Sequence, residues 1–303
     1  MTNILITGGA GIVGKQLTKL LISKGYSVAV LSRTKQQDNT VKTYTWNIEK
    51  GEIEQEAIDS ADYIIHLAGA NIGEKRWTTE RKQLILDSRV KSTQLIYSKI
   101  NSSSHKLKAF ISASATGYYG AVTTEHIFTE TDPPASDFLG ETCKQWEASA
   151  DAFHQIGIRT VKVRTGIVLS KEGGALEKLA MTVNTGFGSP IGSGEQFMPW
   201  IHIDDLCNIY LKAIEDQQMQ GAYNAVSTEH TTNKEFIKTL ATILNKPCWF
   251  PNVPGVLLKL LLGTMSVIVL EGSRVSSAKI IKAGYQFQYP NLTAALKEVL
   301  KKK

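Results

Sequence analysis

The stretch that most constrains this chain is Ile4-Leu5-Ile6-Thr7-Gly8-Gly9-Ala10-Gly11-Ile12-Val13-Gly14, almost at the N-terminus. Asn3 to Thr7 form a short apolar run of the kind shown by a parallel strand buried on both faces, and a helical pattern runs from Val13 to Ser23. Between them stand glycines at 8, 11 and 14, with Gly9 as an extra. Strand, tight glycine turn and helix, in that order, let the backbone reverse sharply, let a diphosphate approach the helix N-terminus and let the helix pack closely on the strand. The expectation is an α/β chain, a doubly wound parallel sheet that holds a dinucleotide at Gly8, Gly11, Ile12, Val13 and Gly14.

The second strand, Ser27 to Leu31, bears on which dinucleotide. An acidic residue after it would bind the ribose hydroxyls of NAD, whereas an arginine accommodates the extra phosphate of NADP. No Asp or Glu precedes Asp38, and the strand ends in Ser32-Arg33-Thr34-Lys35. A hydroxyl and two cations suit a 2′-phosphate, and no carboxylate is there to repel it. NADP is therefore the expected cofactor, held at this end by Ser32 and Arg33. Thr43 to Trp46 make a third strand, after which Asn47 could reach the adenine edge. Tyr63 to Ala70 make a fourth, ending in Leu67-Ala68-Gly69, small enough for the backbone to pass beside ribose and phosphates. His66, inside this apolar run and without a carboxylate at a readable spacing, is expected to be a satisfied core histidine.

Composition excludes several classes. The chain has 303 residues, 42% of them apolar, enough for one large domain or two unequal ones. Its net charge of +6 includes the tail Lys301-Lys302-Lys303, and no basic stripe with interleaved aromatics suggests nucleic acid. Cys143, Cys207 and Cys248 are odd in number and widely spaced, which argues against disulfides and a Cys-x-x-Cys metal site and for a reducing cytoplasm. With a core strand at the N-terminus, no signal peptide is expected. Val256 to Leu270, broken by Lys259, Gly263 and Ser266, is too short to span a bilayer and suits packing or a substrate lid. The partner expected is a small-molecule substrate, with neither nucleic acid nor membrane and with a homodimer left open. Pro247, Pro251 and Pro254 mark a division into residues 1–245, the dinucleotide-binding part, and 246–303, a smaller C-terminal α+β substrate or lid domain; residues 165–200 contribute to the substrate cleft.

A long helix from about Thr79 to Ile100 has Leu84, Ile85, Val90, Leu95 and Ile96 as its core face, with Arg76 and Trp77 ahead of it at the cleft border. The fifth strand, Leu107 to Ile111, is followed by Ser112-Ala-Ser114-Ala-Thr116-Gly-Tyr118-Tyr119-Gly120. Ligands bind beyond the carboxyl ends of strands in open α/β sheets, so these hydroxyls should face the cofactor. The glycine spacing and this segment resemble the extended short-chain dehydrogenase/reductases, in which a Ser or Thr here polarises a substrate carbonyl beside the nicotinamide. Ser114 matches best, with Ser112 and Thr116 as alternatives; Ser112 also counts with the cofactor residues. So does Arg164, which ends the sixth strand, Arg159 to Arg164, where the superfamily's chain passes the nicotinamide.

The partner motif of that superfamily, Tyr-x-x-x-Lys on the next helix, lets the lysine lower the phenol's pKa for proton exchange at neutral pH. No tyrosine in this sequence has a lysine four residues on. Matching Trp146-Glu147 to the usual helix puts Leu139 and Cys143 in the two slots, and Lys144 about 100° round the helix. Tyr118, Tyr119, Lys144 or water would then have to carry the proton. Cys143 is expected to be a buried, inert thiol. Further on, Asp204 or Asp205 is expected to cap a helix from Leu206 to Glu215.

Over its whole length the chain resembles one subgroup, the atypical extended short-chain dehydrogenase/reductases of the epimerase family, also called cell-division-inhibitor-like. The segments that carry this are Gly8 to Gly14, Leu67-Ala68-Gly69 with Arg76-Trp77, Ser88-Arg89, Ser112 to Gly120, Asp137-Phe138-Leu139 with Trp146-Glu147, Gly173-Gly174-Ala175-Leu176, and Gly284 to Pro290. The resemblance implies an NADP-binding Rossmann domain with a small C-terminal substrate domain. It implies an oxidoreductase or isomerase of the epimerase type acting on a carbonyl or hydroxyl compound, sugar-like compounds among the candidates, with Ser114, Tyr119 and Lys144 as the catalytic candidates. The missing Tyr and Lys keep a second reading open, a non-catalytic NADP(H)-binding regulatory protein.

Overall fold

The computed structural model describes residues 1–34, 41–103 and 105–301. Lys35, offered above as a phosphate ligand, lies outside the described residues, as do Asp38, Lys302 and Lys303. In chain order the elements are β1 (Asn3–Thr7), α1 (Ile12–Ser23), β2 (Ser27–Ser32), β3 (Lys42–Asn47), β4 (Glu52–Ile53), α2 (Gln55–Asp59), β5 (Tyr63–His66) and α3 (Thr79–Asn101). Next come β6 (Ala109–Ala115), β7 (Ile127–Phe128), α4 (Phe138–Gln155), β8 (Arg159–Thr165), β9 (Ile167–Leu169), α5 (Gly174–Thr182), β10 (Trp200–His202), α6 (Ile203–Glu215), β11 (Gly221–Ala225) and α7 (Asn233–Ile243). The chain ends with α8 (Gly255–Leu262), α9 (Val267–Leu270), β12 (Arg274–Val275), α10 (Ala278–Lys282) and α11 (Leu292–Leu300).

β1 is apolar on both faces because a helical layer covers each. Ile4 and Ile6 share a core with Leu17 and Leu21 of α1 and with Leu206, Ile209 and Tyr210 of α6. Leu5 points the other way, into a core with Ile96 of α3 and Phe153 of α4, where the Phe153 ring stacks on Phe110 with centroids 3.8 Å apart. The eight strands run in the order β11-β8-β6-β5-β1-β2-β3-β4. All pair in parallel except the edge pair β3–β4. This is the doubly wound sheet of a Rossmann fold: β2 and β5 flank β1, so the chain leaves β1 in opposite directions and opens a crevice beyond the carboxyl ends of β1 and β5.

Several elements depart from the sequence reading. β6 continues to Ala115 and takes in Ser112 and Ser114, because it pairs with β8 from Ala109↔Arg159 to Ala115↔Thr165. Leu84 lies on the exposed side of α3, whose buried apolar residues are Ile85, Leu95, Ile96 and Ile100. The cap of α6 is His202, whose Nδ1 accepts from Asp204 N at 3.1 Å. Asp204 and Asp205 stand in the first turn instead. Asp205, fully buried, accepts from Tyr285 OH at 2.8 Å, Gln288 N at 2.8 Å and Tyr289 N at 3.0 Å, and so fastens the C-terminal chain to α6. Asn47 turns back to accept from Lys50 N at 3.1 Å. A third core joins Leu169, Leu176 and Trp200 to Phe236 and Leu240 of α7 and to Leu292 and Leu296 of α11. Among the described residues no helix is long and apolar enough to cross a membrane.

Candidate functional site

The crevice is shaped by what its glycines leave out. Gly8 has φ +70°, a conformation L side chains rarely adopt, and a Cβ there would lie 2.9 Å from the carbonyl carbon of Leu67. The turns after β1 and β5 are therefore in contact through bare backbone. Gly9 makes the same kind of fit toward β2, where a Cβ would stand 2.7 Å from Val30 Cγ1; on Gly14 it would stand 2.5 Å from Gly8 O. The extra glycine is thus a packing requirement of the turn. Gly173, φ +75°, comes so near α1 that its Cβ would meet Ile12 Cδ1 at 2.9 Å, which brings the segment before α5 over the glycine turn.

The helix that opens here is left ready for an anion. Thr78, Asp137, Thr232 and Asn291 cap α3, α4, α7 and α11 with side-chain acceptors. Gly11 offers α1 none, and no acidic residue stands in its first turn. Free N–H groups and the positive end of the helix dipole are what a phosphate requires. At the end of β2, Ser32 is half-buried and Arg33 exposed, and neither forms an ion pair among the described residues. The residues present fit a dinucleotide with a 2′-phosphate: a cradle that any Cβ would fill, an uncapped helix start and an exposed guanidinium.

A hydrogen-bond chain holds the β5 side of the crevice. Thr7 Oγ1 accepts from Leu67 N at 3.2 Å and Ala68 N at 3.1 Å, so its proton goes to His66 Nδ1, 2.7 Å away. His66 Nε2 then donates to Ser92 Oγ at 3.0 Å, and Ser92 donates to Ser88 O at 2.7 Å. Every partner is satisfied with a neutral imidazole, and burial pushes the His66 pKa down to about 3. This is the core histidine expected from the sequence. It also sets where Leu67, Ala68 and Gly69 run, the last of them exposed at the rim.

At the end of β6 the structure brings together two of the three catalytic candidates. Ser114 and Arg164 are register partners on β6 and β8. Ser114 Oγ donates to Glu147 Oε1 at 2.7 Å. Arg164 grips the same carboxylate with Nε at 2.7 Å and Nη2 at 2.9 Å, and donates from Nη1 to Tyr119 OH at 2.9 Å. Tyr119 OH in turn donates to Asn224 Oδ1 at 2.7 Å. All five side chains are buried. Burial pushes the Tyr119 pKa up to about 12, against the lowering influence of Arg164, and the Cys143 thiol up to about 12 as well.

Two placements correct the sequence reading. Arg164 is only 3% exposed, engaged by Glu147 and Tyr119, and covered by the Tyr118 ring at 3.4 Å, so it is not free for a cofactor in this arrangement. Lys144 lies on the solvent face of α4, paired with Glu141 at 3.3 Å, and does not join the cluster. Leu139 and Cys143 do face the end of β6: a Cβ on Gly117 would be 3.4 Å from Leu139 Cβ and 3.8 Å from Cys143 Sγ. Ser112 is buried, its hydroxyl on Ala113 O at 2.9 Å. The half-exposed hydroxyls at this strand end are those of Thr116 and Tyr118. Burial, the largest influence on Tyr118, raises its pKa, so the phenol stays protonated at neutral pH and is a hydrogen-bond donor. Among the described residues no group of three or more His, Cys, Asp or Glu side chains is placed to hold a metal ion.

One residue at the rim was not singled out as a ligand by the sequence reading. Arg89 stands on the inward stripe of α3, four residues after Ile85 and seven before Ile96, where an apolar side chain is the rule. A charged residue on the buried stripe of a helix beside Gly69 is the signal that was available.

Comparison with known proteins agrees with this architecture. Residues 4–226 match the model of the NAD dependent epimerase/dehydratase family, and residues 253–299 match a domain of unknown function, DUF1731. An epimerase family protein of Staphylococcus aureus is 37% identical over 303 residues, covering 99% of this chain and all of that protein. Mouse epimerase family protein SDR39U1 is 34% identical over 300 residues, 98% of this chain and 99% of that one. The crystal structure of human SDR39U1 with NADPH superposes with a TM-score of 0.88 at 32% identity, covering 98% of this chain and 99% of that chain. A nucleoside-diphosphate sugar epimerase from Corynebacterium glutamicum gives 0.80 at 30% identity over 98% of this chain and 58% of its own. With the crevice, the glycine turn and the whole-length matches in agreement, the chain belongs to the NAD dependent epimerase/dehydratase family.

Proposed function

We propose that this protein binds NADP(H) in the crevice beyond β1 and β5 and acts as an oxidoreductase or epimerase-like enzyme on a carbonyl or hydroxyl compound, without a Tyr-x-x-x-Lys relay. The observation that carries the cofactor reading is the uncapped, acid-free start of α1 under a glycine cradle, with the exposed Arg33 at the end of β2. NADP(H), when bound, supplies hydride transfer. Gly8, Gly11 and Gly14 admit the diphosphate, Ser32 and Arg33 hold the 2′-phosphate, and Leu67 to Gly69 border the ribose. The NADPH in the human SDR39U1 structure supports the choice.

On the substrate side, Thr116 and Tyr118 orient the substrate oxygen by donating hydrogen bonds. Ser114 acts from behind, fixing the strand end through Glu147. With Tyr119 engaged by Arg164 and Asn224 and Lys144 paired with Glu141 on the solvent face, the proton that accompanies hydride transfer comes from Tyr118 or from water. One observation favours a second reading: Ser114 and Tyr119 are both engaged in a buried network, as in a protein that holds NADP(H) to regulate a partner without turnover. Loss of reduced-nicotinamide absorbance, followed across a broad panel of aldehydes, ketones and sugar nucleotides, separates the two. Turnover that falls in Tyr118→Phe supports the enzyme. NADPH that binds but is oxidised by no member of the panel supports the regulator and overturns the enzyme.

A further inference from the structure

Arg89 is a cation set where a protein ordinarily buries an apolar side chain. Its Nη1 donates to Ile85 O of its own helix at 2.8 Å, and its guanidinium lies over the Trp146 ring at 5.0 Å. A Cβ on Gly69 would stand 3.1 Å from its Cζ, so the bare backbone after β5 is what lets the guanidinium lie at the rim of the crevice. Among the described residues no carboxylate pairs with it. The ionised neighbour it senses is a like charge, Arg81, which is itself paired with Glu74 at 2.9 Å. The thiol beside it, Cys143, is held protonated. Arg89 is half-buried, with desolvation lowering its pKa, and holding an unpaired cation there is costlier than packing an apolar residue of the same length. The cation is accounted for by an anion that arrives from the crevice.

We propose that Arg89 binds an anionic oxygen of the cofactor's diphosphate from the β5 side of the crevice, opposite the approach of the α1 N-terminus. This rests on the reading of the crevice as a dinucleotide site. The 2′-phosphate is not its target: β5 and β2 lie on either side of β1, so their ends are roughly 10 Å apart, and Arg33 stands at the far one. The two arginines therefore divide the cofactor's charges, Arg33 reading what distinguishes NADPH from NADH and Arg89 reading what the two share.

Calorimetric titration of the full chain with NADPH, NADH and adenosine 2′-monophosphate, on wild type, Arg89→Gln, Arg89→Lys and Arg33→Ala, tests this. Arg89→Gln should weaken NADPH and NADH alike, by about ten- to a hundredfold, with adenosine 2′-monophosphate unchanged. Arg89→Lys should recover part of the loss. The thermal midpoint of the unliganded Arg89→Gln protein should equal or exceed that of wild type, since the variant removes an unpaired charge. Wild-type affinity for NADPH in Arg89→Gln and in Arg89→Lys overturns the proposal and leaves the dinucleotide reading intact; a wild-type chain that binds neither NADPH nor NADH overturns both.

Discussion

The proposed NADP(H) site places the choice between two cofactors on one exposed side chain, Arg33. A charge-assisted hydrogen bond to phosphate at such a site contributes roughly 1.5–3 kcal/mol, so Arg33→Ala should weaken NADPH about ten- to a hundredfold and leave NADH nearly untouched. Equal losses for both would remove the phosphate clamp. His66 makes a prediction of a different kind. Its folded pKa of about 3 lies below that of an unfolded histidine near 6.5, so the unfolded chain takes up the proton first. Stability is then full above about pH 6.5 and falls by about 1.4 kcal/mol per pH unit as the pH drops toward 3, over and above other groups. Urea titrations at a series of pH values should show this slope in wild type and a slope shallower by one proton in His66→Gln. His66 was legible as a core residue because an apolar run surrounds it. Arg89 was legible only as an oddity, because the Gly69 and Trp146 that frame it come from distant parts of the chain.

Among the elements, the β1–α1 turn and α4 show what a sequence does and does not disclose. The turn is local: its glycines and the strand before it are consecutive, so its shape could be read directly. Gly14→Ala would press a methyl 2.5 Å from Gly8 O, and overpacking of this sort should cost roughly 1–3 kcal/mol of stability and most of the NADPH affinity, both measurable by thermal melts with and without ligand. The network on α4 is not local. Glu147 meets Ser114 and Arg164 only after β6 and β8 have paired in register. The serine that sequence places at the substrate is turned into the protein by a helix carboxylate, and Arg164 is drawn after it. Glu147→Gln leaves a buried guanidinium without its counter-charge and should destabilise by about 3–5 kcal/mol in urea unfolding. A loss below 1 kcal/mol would mean that the pair is not a structural requirement of the strand end.

Across the whole molecule, the doubly wound sheet was legible because both-face burial leaves continuous apolar strands at β1, β2 and β5 and because glycine marks the reversal between them. The two-residue strands β7 and β12 were not, since they are fixed by pairing partners far apart in the chain. Nor was the role of Asp205, which looks in sequence like a helix cap and is instead the anchor for Tyr285, Gln288 and Tyr289. The molecule's central feature is a crevice with an uncapped helix start and, on opposite sides, two arginines that form no ion pair among the described residues. The role proposed for that arrangement is to hold a dinucleotide phosphate. The most direct test is equilibrium titration of the purified, cofactor-stripped chain with NADPH and with NADH. NADPH should bind at least about tenfold more tightly; equal affinities, or a preference for NADH, would contradict the account.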